Sequence, residues 1–175
     1  SCTIALTAAA VMLLIGHQDI EEVITGVEWT TILFFTGLFV VVGGLQETGI
    51  IQVLANGLMD LTNGHMTMTI LLILWVSAIV SSFLDNIPFV ATLIPLILTM
   101  QSSGVDVTPL WWAVSLGACL GGNGTLIGAS ANVVLSGIST RHGFPITFAS
   151  YLKVGFPMML VSVAISTVFL LIRFG

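Results

Sequence analysis

The run Ser-Phe-Leu-Asp-Asn-Ile-Pro-Phe-Val-Ala-Thr-Leu-Ile-Pro-Leu-Ile-Leu-Thr-Met-Gln, residues 82–101, sets one carboxylate, Asp85, between two apolar segments. No other charged side chain lies between Leu61 and Val105. An ionisable group at bilayer depth costs about 2.5–3.5 kcal/mol on insertion scales, and where one persists it faces a water-filled cavity or an ion path. Asp85 is therefore the first candidate functional residue.

Composition makes the bilayer the relevant solvent. The 175-residue chain is 57% hydrophobic and 6% charged, with a mean hydropathy of +1.15, whereas soluble domains carry about 25% charged residues. Uncharged stretches cover residues 1–18, 29–46, 61–84, 86–105, 107–140 and 154–172. Spanning takes about 20 mainly apolar residues per helix, so five or six membrane-embedded helices are expected. The apolar runs are continuous rather than alternating, which favours helices over a transmembrane barrel and predicts an all-α integral membrane protein in a lipid bilayer. A net charge of −5 with three basic residues points to no nucleic-acid partner. Cys2 and Cys119 show no paired spacing and are expected to be small apolar packers, not a disulfide or thiolate site. Ser1 opens directly into an apolar stretch without initiator Met or basic leader, as expected for a piece or processed part of a longer chain.

Along the chain, Cys2 to Gly16 reads as an apolar helix and His17 to Glu28 as a polar, solvated connector. Trp29 to Leu45 reads as a membrane helix with Trp29 as its interfacial anchor. From Thr48 to Leu61, Ile50, Ile51, Leu54, Leu58 and Leu61 recur at helical spacing between Gln52, Asn56 and Asp60, the pattern of a helix lying in the interface. Thr62 to Thr67 is a turn, and Met68 to Leu84 a helix aimed into the membrane. Pro88 suits the first turn of the next helix, where it needs no amide donor. That second arm, Pro88 to Gln101, would be about 21 Å long against a hydrocarbon core of about 30 Å. Residues 66–101 are thus expected to form a re-entrant hairpin with its tip at Asp85; the alternative is two crossing helices joined at the surface with Asp85 and Asn86 as an ordinary cap.

Pro109 to Thr140 is too long for one crossing and contains Gly121-Gly-Asn-Gly-Thr125. Each glycine costs a helix interior about 1 kcal/mol relative to Ala, so residues 109–140 read as a broken helix. A loop, Arg141 to Ser150, precedes a last helix from Tyr151 to Ile172. Arg141 and Lys153 flank that loop and place it in the cytoplasm by the positive-inside rule. The organisation read from the chain is 1–61 for scaffold helices and an interfacial arm, 62–140 for a transport region, and 141–175 for the loop and last helix.

Paired interruptions of this kind are how secondary transporters build binding sites: half-helix N-termini face anions, while unwound carbonyls and side-chain oxygens take up Na⁺ or H⁺. Around the first break stand Ser81, Ser82, Asp85, Asn86 and Thr92; around the second stand Asn123, Thr125, Ser130 and Asn132. With the backbone of Gly122 and Gly124, the candidate site is Asp85, Asn86, Thr92, Gly122, Asn123, Gly124, Thr125, Ser130 and Asn132. Asp85, Asn86, Asn123 and Thr125 are the hard oxygen donors for Na⁺. Any single Ser or Thr in a membrane helix more often bonds back to its own helix, and the argument rests on the clustering. No nucleophile–base pair or metal cluster suggests an enzyme, and no cofactor is expected beyond Na⁺ or H⁺ as coupling ion.

Asp85-Asn-Ile-Pro-Phe with Pro95, Gly117-Ala-Cys-Leu-Gly-Gly-Asn-Gly-Thr-Leu-Ile-Gly-Ala-Ser-Ala-Asn132 and Gly155-Phe-Pro-Met158 resemble the carboxy-terminal half of the ion-transporter superfamily. Within it, the chain is similar to the arsenite-permease/sodium–proton-antiporter branch, in the family of the melanosomal P-protein and its bacterial relatives. The resemblance implies one repeat of an inverted-repeat elevator transporter with a re-entrant hairpin and a broken helix, working as a homodimer. It also implies an amino-terminal half-repeat as partner and a multi-pass location, the plasma membrane in a bacterium. Dicarboxylate symporters of the superfamily carry Ser-Asn-Thr at the hairpin tip, whereas Asp85-Asn86-Ile87 adds a negative charge where an anionic substrate would sit. The expected function is secondary active transport coupling Na⁺ or H⁺ to a small inorganic ion or oxyacid such as arsenite. Sodium–proton antiport, a passive anion conductance on the same fold and a non-transporting scaffold are the alternatives.

Overall fold

The computed structural model describes residues 2–16, 20–27 and 29–175. Their regular structure is helical throughout: α1 (Cys2–Gly16), α2 (Ile20–Thr25), α3 (Trp29–Glu47), α4 (Ile50–Leu61), α5 (Met66–Ser81), α6 (Asn86–Ser102), α7 (Thr108–Gly121), α8 (Ser130–Arg141) and α9 (Phe148–Phe174). No strand occurs among the described residues, in keeping with the continuous apolar runs. Two compact units are present, residues 1–37 and 38–175.

In the first unit α1 is apolar on every side and exposes Ile4, Leu6, Met12 and Leu14. Its Thr7 hydroxyl donates to the Thr3 carbonyl at 2.8 Å, which satisfies a polar group inside an apolar helix. The polar connector expected over residues 17–28 contains α2; its residues 17–19 and 28, Asp19 and Glu28 among them, lie outside the described residues. The Trp29 indole N–H donates to the Ile24 carbonyl at 3.2 Å and ties the end of α2 to the start of α3.

The chain bends by 70° between Ile32–Glu47 and Ile50–Leu61. Gly49 makes the bend at φ 75°, a left-handed conformation that side chains disfavour. Past it, α4 buries Ile51 and Ala55 and exposes Gln52, Asn56 and Asp60, while Ile50, Leu54 and Leu61 of the expected apolar face are exposed as well. It rests on α6. The arms α5 and α6 have 16 and 17 residues, about 24 and 26 Å at 1.5 Å per residue. The second arm is longer than the reading from Pro88 gives, because Asp85 caps the helix two residues earlier and Pro88 sits inside the first turn. The arms approach α7 more than each other.

That packing follows from small residues. Ser77, Ala78 and Ser81 on α5 face Gly117, Ala118 and Gly121 on α7. A Cβ on Gly117 would lie 2.5 Å from the Leu74 carbonyl and 2.7 Å from the Ser77 Cβ, and one on Gly121 would lie 2.7 Å from the Ala78 Cα. Between apolar helices in lipid no hydrophobic gain drives association, so close backbone approach of this kind supplies the attraction. The Ser81 hydroxyl adds a buried bond to the Ala118 carbonyl at 2.8 Å. Beyond this seam Leu74, Ile97, Met100, Leu110, Met159, Val163 and Leu170 fill the core. Cys119 lies one residue past the buried Ala118, which turns it about 100° away from α5; both Cys119 and Cys2 are exposed, not packed as the sequence suggests.

α9 has 27 residues and is the described helix long and apolar enough to cross a membrane by itself. It begins three residues before the sequence reading because Thr147 and Ser150 form a reciprocal capping box. It docks on α5 and α7, and the Trp75 indole N–H donates to the Thr167 hydroxyl at 3.1 Å. In the turn before α7 the Thr108 backbone N–H, and then its hydroxyl, hold the exposed Asp106 carboxyl below its ordinary range. Ile172, Leu14, Phe144, Ile4, Val40 and Val53 are each at least 70% exposed, more apolar surface than water tolerates on a monomer and what a bilayer accepts.

Two glycine substitutions should act in opposite directions. Gly121→Val meets Ala78 backbone, which cannot yield, and should cost about 3 kcal/mol by overpacking. Gly137→Ala in α8 meets nothing within 4 Å and should stabilise by about 0.5–1 kcal/mol. Thermal unfolding of the detergent-solubilised protein measures both, and equal effects would refute the seam.

Candidate functional site

The site is built where the chain stops being helical. The first break, residues 82–85, separates α5 from α6; the second, residues 122–129, separates α7 from α8. Because α5 and α7 lie in close contact and end at the same level, the breaks meet. Ser82, fully buried at the end of α5, donates from its hydroxyl to the Ala78 carbonyl at 2.8 Å and to the Gly121 carbonyl at 3.0 Å. Its own carbonyl accepts from the hydroxyl of the fully buried Thr125. Gly124 packs against the Ser82 hydroxyl, and a Cβ on Gly128 would come within 2.8 Å of the Ser82 carbonyl. No side chain fits at either glycine.

The second break is held from its far side by Asn132. Its side-chain amide donates to the Gly122 carbonyl at 2.9 Å and to the Thr125 carbonyl at 3.2 Å. Carbonyls freed by the break thus recover partners within the chain. α9 closes another side: a Cβ on Gly155 would lie 2.8 Å from the Asn123 carbonyl.

Asp85 sits at the rim of this junction, half-buried. One carboxylate oxygen accepts from the Ile87 backbone N–H at 3.0 Å and caps α6; the other lies 3.5 Å from the Ser130 hydroxyl in the first turn of α8. The carboxylate therefore stands between the starts of two helices that belong to different breaks. Asn86 lines a neighbouring groove of about 400 Å³ with Phe39, Ile87, Val90, Ala91 and Ile94. Asn123 is exposed at the second break. Thr92 is not gathered in: its hydroxyl donates to the Phe89 carbonyl at 2.7 Å within its own helix.

Of the residues singled out in the sequence, Asp85, Gly122, Gly124, Thr125, Ser130 and Asn132 are brought together. Thr125 and Asn132 donate to backbone carbonyls, so these donors hold the junction in shape. The close-approach roles of Gly117, Gly128 and Gly155 were missed. The four-residue spacing of Gly117 with Gly121, and of Ser77 with Ser81, was the signal available for the α5–α7 seam; Gly128 and Gly155 had none. Among the described residues no three His, Cys, Asp or Glu side chains gather as a metal-ligating group.

Comparison with known proteins gives the chain its class. The model of the citrate transporter family, CitMHS, matches residues 2–117, and the chain belongs to that family of membrane transport proteins. An uncharacterized transporter of Mycobacterium tuberculosis is 43% identical over 175 residues, covering 98% of this chain and 41% of the relative. The human P protein is 41% identical, covering 95% of this chain and 21% of the relative. A 46 kDa membrane protein of Mycobacterium leprae is 38% identical over 98% of this chain and 41% of its own length. The chain thus spans about two fifths of the length of the mycobacterial relatives it matches. No solved structure matches it.

The Thr125 hydroxyl gives the junction a direct test. Thr125→Val keeps the shape and leaves the Ser82 carbonyl buried without its donor, a loss of about 1–3 kcal/mol. Thr125→Ser retains the donor and should lie closer to wild type. Thermal unfolding of the three proteins decides it, and a Val variant as stable as wild type would show the bond to be dispensable.

Proposed function

We propose that the protein is a secondary active transporter that couples Na⁺ or H⁺ to the movement of a small inorganic ion or oxyacid, with the ion site at the junction of the two breaks. The observation that carries the reading is a half-buried carboxylate, Asp85, set between the starts of α6 and α8. An ionisable group in an otherwise uncharged apolar segment is costly and is retained for function, and membership of a transporter family gives that function its class. Asp85 would take the cation or proton, with Asn86, Asn123 and Ser130 as neighbouring oxygen donors; hard cations prefer such ligands.

The substrate follows from charge. A carboxylate at the rim repels a polyanion such as the citrate of the family's description, and favours a neutral oxyacid such as arsenite, or a cation exchanged for protons. In this reading α5 and α6 form a re-entrant hairpin, α7 and α8 a broken crossing, and the whole is multi-pass. A further half with a second pair of breaks would complete the site, in a homodimer that moves as an elevator. The length of the mycobacterial relatives leaves room for such a half.

Gradient-driven uptake into proteoliposomes tests the proposal. A contact to a charged ligand is worth about 1.5–3 kcal/mol, so Asp85→Asn should lower apparent cation affinity about 10- to 100-fold. The dependence of uptake on pH should disappear with it, while Asp60→Asn on exposed α4 should change little. Flux that never accumulates substrate against a gradient would indicate a passive conductance, and wild-type uptake by Asp85→Asn would move the ion site elsewhere.

A further inference from the structure

Two facts about the starts of α6 and α8 belong together. Helix starts expose unsatisfied backbone N–H groups and a partial positive charge, and a side chain at the N-cap position ordinarily answers both. α6 has such a cap, Asp85. α8 has none: its N-cap is Ala129, extended at φ −147° and ψ 139°, with no side-chain hydrogen bond. The Asp85 oxygen that α6 does not use lies 3.5 Å from the hydroxyl of Ser130, the first residue of α8. At that distance, the outer limit of a hydrogen bond, attraction between the charge and the helix start outweighs any bond.

We propose that Asp85 is a cap shared by two helices. With one oxygen it closes α6, and with the other it supplies the negative charge that Ala129 cannot give to α8. The carboxylate thereby occupies, from within the chain, the position a small monovalent carboxylate such as formate would otherwise take between the two helix starts. Asp85 is then a positioning and specificity-determining residue: it joins the two breaks through charge and keeps small anions out. This rests on the reading of the junction as the ion site, but its test needs no transport.

The test relocates the charge. Ala129 already has the extended backbone of an N-cap, where Asp is among the preferred residues. Four purified full-length proteins are compared by thermal unfolding: wild type, Asp85→Gly, Ala129→Asp and the double variant. Glycine at position 85 keeps the cap geometry of α6 at little cost. Asp85→Gly should lower Tm by about 2–8 °C. Ala129→Asp should lower Tm in the wild-type background, where it crowds two carboxylates at one place, and raise it in the Asp85→Gly background, where it restores the missing charge. Sodium formate should raise Tm of Asp85→Gly and leave wild type and the double variant unmoved. If Asp85→Gly alone does not fold, recovery of folded protein in the double variant is the same result. Ala129→Asp acting with the same sign in both backgrounds, or formate acting equally on wild type and Asp85→Gly, would overturn the shared cap. Wild-type uptake by Asp85→Asn with an intact sign reversal would instead count against the transport reading alone.

Discussion

Everything described at the junction depends on how closely α5 and α7 approach. Their contact contains almost no side chain: Gly117 and Gly121 present bare backbone to Leu74, Ser77 and Ala78, and the serine hydroxyls turn inward to the carbonyls of the facing helix. In a bilayer this packing replaces the hydrophobic drive that holds soluble helices together. It also fixes where both helices stop. Because α5 and α7 end side by side, two irregular segments that would each be costly in lipid satisfy one another.

The polar groups there show how the cost is met. A broken helix leaves carbonyls and amides without partners, and a hydrocarbon environment would offer no water to take them. The Thr125 hydroxyl, the Ser82 hydroxyl and the Asn132 amide are spent on those carbonyls. The scaffold of the junction is therefore made by residues whose chemistry would equally suit ion ligands. Asp85 and Asn86 stand half-buried at its edge, and Asn123 is exposed.

Much of this was legible in the chain because the signals are local. Hydropathy placed the apolar helices, the amphipathic pattern placed α4, and the glycine density of residues 121–125 marked the interruption before α8. Local signals also misled: starting α6 at Pro88 left Asn86 and Ile87 out of the helix, although a cap at Asp85 was the alternative the chain offered, and the Thr147–Ser150 box before α9 lacks the usual acidic partner. Thr92 looked like a ligand by composition, yet its hydroxyl is used within its own helix. That Thr125 reaches Ser82, 43 positions away, could not be read from either break alone. The pairing is created by the α5–α7 seam, whose evidence in the sequence is four-residue spacing of small residues on two separate helices.

The second break also acts as a measured spacer. Gly122, Gly124 and Gly128 are fixed against Ser82, Ala129 and one another, and α8 starts directly after them. An α-helix advances about 100° per residue. Gaining or losing one residue between positions 122 and 129 would rotate every side chain of α8 by that angle, turning Ser130 from Asp85 and Asn132 from the carbonyls it ties. Over evolutionary time this stretch should tolerate exchange of side chains at Leu126 or Ile127 far more readily than any change of length, whereas the open turn at residues 142–147 carries no such phase requirement.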